Sequence, residues 1–389
     1  MPATPASESH DDTIQLPRLT RRGALLGAAA LLTPLVPSLG AAAAAAAPPV
    51  APTTSTGLVR LDSNENPYGP SPAARRAILA SVNDAPRYAD QTVRDLTNAL
   101  ARRDGFDPSL VVVGSGSGEL LNVAGLLAAE GSTGGDLVAS QPTFEDLPRF
   151  AAKMAVTTRW VPADADHRHD LGAMLAAIGS HTRLVYVCNP NNPTGTAVPA
   201  TDLAQFIRAV PHDVLVLVDE AYMDLADADG VASAVPMVRE CPNLVVLRTF
   251  SKIHGLAGLR VGYSVAGPEL SARIANKLVA FPNCTGLSAA IASLGDHEFI
   301  ATTRKALIAD RRRVEAAIDA QGRPRAKSQG NFVFFDTGMP HKAFLDRMLA
   351  QQIKIGRHFD RYDNWARITI GTRPEVDRLL AALPGALRA

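Results

Sequence analysis

The sequence lacks an excess of charge of either sign, and it lacks paired cysteines. Among 389 residues, 39 are Lys or Arg and 38 are Asp or Glu, which leaves a formal net charge of +1. A general nucleic-acid-binding protein needs a basic surplus, so this balance argues against one. The three cysteines, Cys188, Cys241 and Cys284, form no Cys-x-x-Cys pair. The sequence therefore suggests no metal site and no disulfide framework.

Charged residues are also absent from one long stretch, residues 23–59. Arg21 and Arg22 precede it, and it contains a leucine-rich run followed by seven alanines from Ala41 to Ala47. A basic start, an apolar run and Ala-x-Ala sites are typical of a secretory signal, and the adjacent arginines resemble a twin-arginine signal. We expect residues 1–47 to be this signal and residues 48–59 a linker. The mature protein would then be exported by the twin-arginine route and be periplasmic or extracytoplasmic.

An uncleaved membrane anchor is the alternative interpretation of the same stretch. A bilayer span needs about 20 predominantly apolar residues. Pro34 and Pro37 interrupt the run here, and proline breaks helices. We therefore expect no stable membrane span in the mature protein.

From about residue 58, short apolar runs alternate with longer amphipathic segments. The runs predict strands at 111–113, 137–139, 184–187, 214–218, 244–247 and 259–265, and the segments predict helices at 119–129, 144–152, 201–209 and 268–279. Continuous β-branched runs are typical of strands buried on both faces. The alternation predicts an α/β fold with a mostly parallel central sheet.

The C-terminal part has a different order of elements. Its pattern predicts helices at 300–320 and 342–352, strands at 331–335 and 366–370, and a last helix from Glu375. This is the pattern of a smaller α+β domain. We expect an N-terminal arm at 60–95, a large domain at 96–275 and a small domain at 276–389.

Polar residues follow four of the predicted strands. These strands are followed by a glycine turn at 114–119, an asparagine-rich segment at 189–195, Asp219 and Lys252. In open α/β sheets, ligands bind beyond the carboxyl ends of the strands. We expect the four segments to meet at one edge of the sheet. The glycine turn ends at a predicted helix N-terminus, which favours a phosphate, although a tight structural turn is the simpler interpretation.

Lys252 is the most informative of these residues. Only seven of the 39 basic residues are lysines, and this one directly follows a predicted buried strand. A desolvated lysine can form a Schiff base with an aldehyde cofactor, and a carboxylate such as Asp219 can hold a pyridinium nitrogen protonated. Taken singly, Lys252 is better explained as a solvated loop lysine. Asp219 alone could equally be a helix cap, and Asn192 and Tyr222 could be turn and packing residues.

The combination of motifs resembles the fold-type-I pyridoxal-phosphate-dependent aminotransferases, and among them histidinol-phosphate aminotransferase. The resemblance extends from about Arg60 to the C-terminus. Its motifs are Asn64-Glu65-Asn66-Pro67-Tyr68-Gly69, Arg87-Tyr88-Ala89-Asp90, residues 114–119, Pro142-Thr143-Phe144, residues 189–195, Asp219-Glu220-Ala221-Tyr222, residues 249–262 and Arg367-Ile368-Thr369-Ile370-Gly371-Thr372. It implies a large α/β domain, a smaller α+β domain and pyridoxal 5'-phosphate as cofactor.

The resemblance also implies a role for each matching residue. Catalysis would depend on Lys252, which carries the cofactor and moves a proton, on Asp219 at the ring nitrogen and on Tyr222 at the ring oxygen. The cofactor would be held by these three together with Ser117, Gly118, Glu119, Phe144, Asn192, Thr249, Ser251, Arg260 and the partner subunit's Tyr88, so a homodimer is expected. The anionic end of the substrate would be bound by Tyr68, Asn192, Arg357 and Arg367.

Three features depart from the family pattern. The family usually has proline at the position of Ala89 and an acidic residue at the position of Gly118. The export signal is the third, because histidine biosynthesis is cytoplasmic. The expected reaction is amino transfer from an amino acid or an amino-alcohol phosphate to a 2-oxo acid.

Alternatives remain for the reaction. A racemase, decarboxylase or oxidase on the same fold would share the lysine and the cofactor. A dinucleotide-dependent oxidoreductase would need Gly-x-Gly-x-x-Gly, but Glu119 stands where the third glycine should fall. A binding protein without turnover is the remaining possibility.

Overall fold

The computed structural model describes residues 57–131 and 135–388. The predicted signal at 1–47 and most of the predicted linker lie outside these residues. Within the described ranges, no helix has the length and hydropathy that crossing a bilayer requires.

The chain forms eleven strands and eleven α-helices in the described residues. The strands are β1 Val59–Leu61, β2 Val111–Gly114, β3 Asp136–Gln141, β4 Thr157–Pro162, β5 Thr182–Cys188, β6 Leu215–Asp219, β7 Leu244–Thr249, β8 Gly262–Ala266, β9 Phe332–Asp336, β10 Ile353–Ile355 and β11 Trp365–Thr369. The helices are α1 Pro72–Ser81, α2 Asp90–Asp104, α3 Ser117–Ala128, α4 Asp146–Ala152, α5 Leu171–Ala176, α6 Ala200–Ala209, α7 Pro268–Ala275, α8 Cys284–Leu294, α9 His297–Ala320, α10 His341–Ala350 and α11 Arg373–Leu387.

Seven strands form the central sheet, in the order β2-β8-β7-β6-β5-β3-β4. All run parallel except β8, which is antiparallel to both of its neighbours. Their apolar runs are buried on both faces; Leu184, Val185, Val216 and Leu217, for example, are fully buried. The prediction of an α/β fold with a mostly parallel sheet is confirmed.

The sequence pattern missed several elements. Strand β4 lies at the edge of the sheet and is mostly exposed, so it has no continuous apolar run. Helices α1, α2, α5 and α8 and the three-residue strands β1 and β10 were also not predicted. Helix α7 ends at Ala275 rather than at 279, because the backbone N–H groups of Val279 and Ala280 donate to the Glu119 carboxylate instead of continuing the helix.

The C-terminal layer is built on an antiparallel pair, β9 and β11, packed against α9, α10 and α11. Helix α11 begins with a capping box between Thr372 and Glu375. Strand β1 pairs in parallel with β10, so the start of the described chain joins this layer. Val59 and Leu61 are buried in the same apolar cluster as Phe332. The predicted domain bounds stay a prediction.

The order of strands brings the predicted polar segments to one edge of the sheet. Cys188 lies opposite Asp219, and Asp219 lies opposite Leu247, at the carboxyl ends of β5, β6 and β7. Gly262, at the start of β8, pairs with both Thr249 and Gly114. The ends of β2, β5, β6 and β7 therefore border the same space.

Gly262 sets how closely α3 approaches this edge. A Cβ atom on it would lie 2.3 Å from the backbone nitrogen of Ser117 and 2.8 Å from the carbonyl carbon of Gly116. Both atoms belong to the backbone and have little freedom to move away. Only glycine lets the N-terminus of α3 pack directly against β8.

Candidate active site

A cleft of about 300 Å³ lies beyond the carboxyl ends of the central strands. The predicted site residues on its walls are Ser117, Gly118, Phe144, Asn192, Asp219, Tyr222, Thr249, Ser251, Lys252, Arg260, Arg357 and Arg367. The sheet edge and its loops supply most of the lining, and the C-terminal layer supplies the two last arginines together with Phe359. The cleft is therefore closed by residues from distant parts of the sequence.

Lys252 reaches the cleft from the loop that follows β7. Its Nζ donates to the backbone oxygen of Asn64 at 3.1 Å and lies 5.2 Å from the centre of the Tyr222 ring. Burial, reinforced by the positive charge of Arg367, lowers the pKa of Lys252 to about 8. A far larger share of this amine is therefore neutral, and so nucleophilic, at neutral pH than of an ordinary lysine.

Asp219 lies at the end of β6 and is almost fully buried. Its Oδ1 accepts from the backbone N–H of Ala221 at 3.1 Å, and its Oδ2 accepts from the Tyr186 hydroxyl at 3.3 Å. Burial raises the pKa of Asp219 to about 6, against the effect of these donors and of Lys252. The carboxylate is ionised at neutral pH and can pair with a protonated ring nitrogen.

Tyr222 presents its hydroxyl to the same space. The oxygen accepts from Asn64 Nδ2 at 3.1 Å and from Asn192 Nδ2 at 3.4 Å. Burial raises the pKa of Tyr222, so the phenol keeps its proton. The hydroxyl is therefore free to donate to an oxygen atom of a ligand in the cleft.

Hydroxyl groups and the Arg260 guanidinium lie at the end of the cleft where α3 begins. Thr249 Oγ1 donates to Ser251 Oγ at 3.0 Å, and Ser117 is the first residue of the helix. The Arg260 guanidinium lies over Gly116, where a Cβ atom would come within 2.4 Å of Arg260 Nη2. Helix N-termini, hydroxyl groups and arginine are the groups that bind phosphate.

Three predicted site residues do not line the cleft. The carboxylate of Glu119 accepts from the backbone N–H groups of Ser115, Val279 and Ala280, so this side chain holds the glycine turn in place. Tyr68 packs against the apolar cluster of the C-terminal layer. Tyr88 is 86% exposed and stays clear of the cleft of its own chain.

Arg367 projects from β11 into the cleft and is largely buried. Its Nη1 donates to Asn192 Oδ1 at 2.6 Å and its Nη2 to the Asp62 backbone oxygen at 2.8 Å. The buried Nε has no hydrogen-bond partner among the described residues. Burial lowers the pKa of Arg367 to about 10, so the guanidinium is still charged at neutral pH. Both of its bonded partners are neutral, which leaves the charge available to an anion.

The donor set fits pyridoxal 5'-phosphate. A buried carboxylate, an amide with a phenol, a neutralisable amine and a phosphate-binding end all face one cleft. The ring of Phe144 contributes an apolar wall. The Arg260 guanidinium can approach Gly116 this closely, at the end of the cleft that fits a phosphate, only because residue 116 has no side chain.

The sequence alone did not single out three residues of the site. Asn64 lies within the first quoted motif, so its position was available as a signal. Tyr186 is the one hydroxyl-bearing residue in the apolar run of β5, and that hydroxyl is its signal. The ring centre of Phe359 lies 4.4 Å from Cζ of the Arg357 guanidinium. Phe359 belongs to none of the quoted motifs, so the sequence contained no signal for it.

Comparison with known proteins agrees with this geometry. The family model for aminotransferase class I and II matches residues 56–383. An aromatic amino acid aminotransferase of Rhodococcus jostii is 41% identical over 84% of this chain and 89% of its own length. Histidinol-phosphate aminotransferase 1 of Dechloromonas aromatica is 38% identical over 85% of this chain and 90% of its own length.

Solved structures give the same result. The histidinol-phosphate aminotransferase of Sinorhizobium meliloti, solved in complex with pyridoxal-5'-phosphate, superposes with a TM-score of 0.79 at 31% identity. The match covers 85% of this chain and 91% of that one. The predicted fold type and the predicted enzyme class are confirmed, and the chain belongs to the class I and II aminotransferases.

Proposed function

We propose that this aminotransferase moves an amino group from an amino acid or an amino-alcohol phosphate to a 2-oxo acid. The observation that carries the proposal is the Lys252 amine, with its lowered pKa, in a cleft that also holds Asp219 and Arg367. The cofactor is pyridoxal 5'-phosphate, which when bound supplies an electron sink for the bonds at the α-carbon of the donor. Membership of the aminotransferase family favours amino transfer over racemisation, decarboxylation or oxidation.

Each of the predicted site residues that line the cleft has a defined task in this proposal. The Lys252 amine takes the proton from the donor α-carbon, since it is the one lysine amine that lines the cleft among the described residues. Asp219 holds the ring nitrogen protonated, and Tyr222 and Asn192 orient the ring oxygen. Ser117, Thr249, Ser251 and Arg260 hold the phosphate, and Phe144 packs on the ring.

Arg367 is the proposed anchor for the donor's anion. The related enzymes are named for an aromatic amino acid and for histidinol phosphate. These two donors share an anionic group close to the reacting amine, a carboxylate in one and a phosphate in the other. The planar guanidinium matches either group, and its unpartnered buried Nε is a donor still to be satisfied.

The Lys252→Ala variant is expected to fold and to lose amino transfer. Its cleft keeps the phosphate-binding residues but has no amine to attach the aldehyde or to move the proton. Borohydride reduction of the loaded wild-type protein, followed by peptide mass spectrometry, should place the cofactor on Lys252. The same treatment of Lys277→Ala, which removes a partly exposed lysine paired with Glu130 outside the cleft, should give the wild-type result. Attachment to another lysine would contradict the proposal.

The Arg367→Ala variant should lower kcat/KM for the best donor by about 10- to 100-fold. The physical reason is the loss of a charge-assisted hydrogen bond worth about 1.5–3 kcal/mol. Steady-state kinetics over a panel of donors measure the effect. Arg273→Ala, which removes a half-exposed arginine paired with Glu130, is the control and should change little. Unchanged kinetics in Arg367→Ala would refute the anchor.

We also propose that two copies of this chain form a homodimer. Five large apolar side chains are exposed near one another: Leu79, Val82, Tyr88, Val279 and Phe281. The rings of Tyr88 and Phe281 lie 6.1 Å apart, and the Sγ of Cys284, at the start of α8, lies 3.9 Å from the Ser81 backbone oxygen. We call these five residues the apolar patch. Exposed apolar patches of this kind support a protein interface, and a dimer would give Tyr88 a second cleft to reach.

The Phe281→Asp variant should shift the protein towards monomer in sedimentation equilibrium, because a charge in a paired apolar surface is costly. Cofactor affinity should fall with it, since the partner's Tyr88 would be lost. Leu349→Asp, at an exposed apolar residue outside the apolar patch, is the matched control. A wild-type protein that sediments as a monomer would rule out the dimer.

Export by the twin-arginine route is a further proposal, supported by Arg21 and Arg22 before the uncharged run. That route carries folded proteins, which suits an enzyme that acquires its cofactor in the cytoplasm. Changing both arginines to lysine should leave the protein in the cytoplasm, as cell fractionation would reveal. Unaltered export of that variant would count against this route.

A further inference from the structure

The two arginines at the substrate end of the cleft differ in how they are paired. Arg367 is buried and bonds only neutral oxygens. Arg357 is 47% exposed, and its Nη2 forms an ion pair with Glu145 Oε2 at 3.1 Å. Its Nη1 donates to the backbone oxygen of His358 at 2.9 Å, and its guanidinium lies over the ring of Phe359. Arg357 is therefore already held in an ion pair, with a carboxylate that it shares with Arg149, while Arg367 forms no ion pair among the described residues.

Glu145 is well placed to keep this pairing. Glu145 directly follows Phe144, which lines the cleft. The same loop therefore places both the Phe144 ring and the Glu145 carboxylate. Its side chain is 20% exposed, which weakens screening by solvent. Arg149, one turn further along α4, also donates to Glu145 and fixes its orientation. Asp146, the next residue, lines the cleft and adds a second carboxylate there.

The charged side chains at this end of the cleft affect donors differently according to the donor's own charge. A donor with a single carboxylate pairs with Arg367 and leaves the Arg357–Glu145 pair intact. A donor whose anionic groups carry two negative charges, on a phosphate monoester or on two carboxylates, needs a second cation. It must then break that pair and approach both Glu145 and Asp146. Like charges brought together in a partly desolvated site oppose binding.

We infer that Glu145 is a specificity-determining residue, which holds Arg357 in an ion pair and so selects amino donors with one negative charge over donors with two. This inference rests on the proposed function and concerns the same cleft. It assigns the choice between the two donor classes to a residue outside the quoted motifs. The ring of Phe359, which also lines the cleft, suits a neutral, apolar side chain on the preferred donor.

The test is the half-reaction of the loaded enzyme, followed by the cofactor spectrum without any acceptor. The donors are L-phenylalanine, L-histidinol phosphate and L-glutamate, and the proteins are wild type, Glu145→Gln and Glu240→Gln. Glutamine keeps the shape of the side chain and removes its charge. Glu240, which pairs with Arg208 on the surface, is the matched control.

The Glu145→Gln variant should raise the apparent second-order rate constant for the two doubly charged donors about fivefold, the scale of one partly exposed ion pair. The constant for L-phenylalanine should stay within about twofold, and Glu240→Gln should match the wild type. A Glu145→Gln/Arg357→Gln double variant should lose the gain, because Arg149, the other arginine that Glu145 releases, does not line the cleft.

Several results would overturn the inference. Unchanged donor ratios in Glu145→Gln would do so, and so would an equal loss for all three donors, which would indicate a structural role alone. A gain that survives in the double variant would remove Arg357 from the explanation. If no donor alters the cofactor spectrum of the wild-type enzyme, the proposed function itself is contradicted, and this inference, which rests on it, is contradicted too.

Discussion

Burial of the Lys252 amine near a carboxylate and a guanidinium is the constraint on which the rest of the site depends. Desolvation makes the amine reactive by lowering its pKa, and the same desolvation raises the pKa of Asp219. Arg367 reinforces the first effect, while Lys252 and Asp219 partly offset each other's shift. An open, hydrated cleft would weaken all of these effects together. The C-terminal layer, which supplies Arg367, is therefore part of the chemistry and does more than cover the sheet.

Asn64 joins the parts that this constraint brings together. Its side chain donates to Tyr222, its backbone oxygen accepts from Lys252, and its backbone N–H donates to Thr369 at 2.9 Å. One residue thus links the loops after β6 and β7 to strand β11. Asn64 therefore connects the C-terminal layer to the reactive amine, in addition to the charge of Arg367.

The sequence predicted the core strands well because both of their faces are buried. The runs at 184–187 and 244–247 carry enough apolar residues to be recognised without any partner. Strand β4 and the three-residue β1 were missed because an edge position or a short length leaves no such run. Their existence depends on pairing with residues far away in sequence.

The same distinction applies to the site. Lys252, Asp219 and Asn192 follow predicted strands, so topology alone brings them together. Glu119 was expected at the cofactor, but its carboxylate bonds backbone groups at 279 and 280, a contact that no local pattern encodes. Tyr186 is hidden in an apolar run, and its task depends on the neighbouring strand. Glu145 meets Arg357 across more than two hundred residues, which only the folded chain reveals.

The pairing of β1 with β10 has a consequence for the order in which the chain folds. Val59 lies opposite Ile353, so nearly three hundred residues separate the two strands. During synthesis the arm emerges early but has no partner until almost the whole chain has been made. Strand β1, the first strand of the described residues, is then among the last to be placed, because closing so long a loop follows the formation of local contacts.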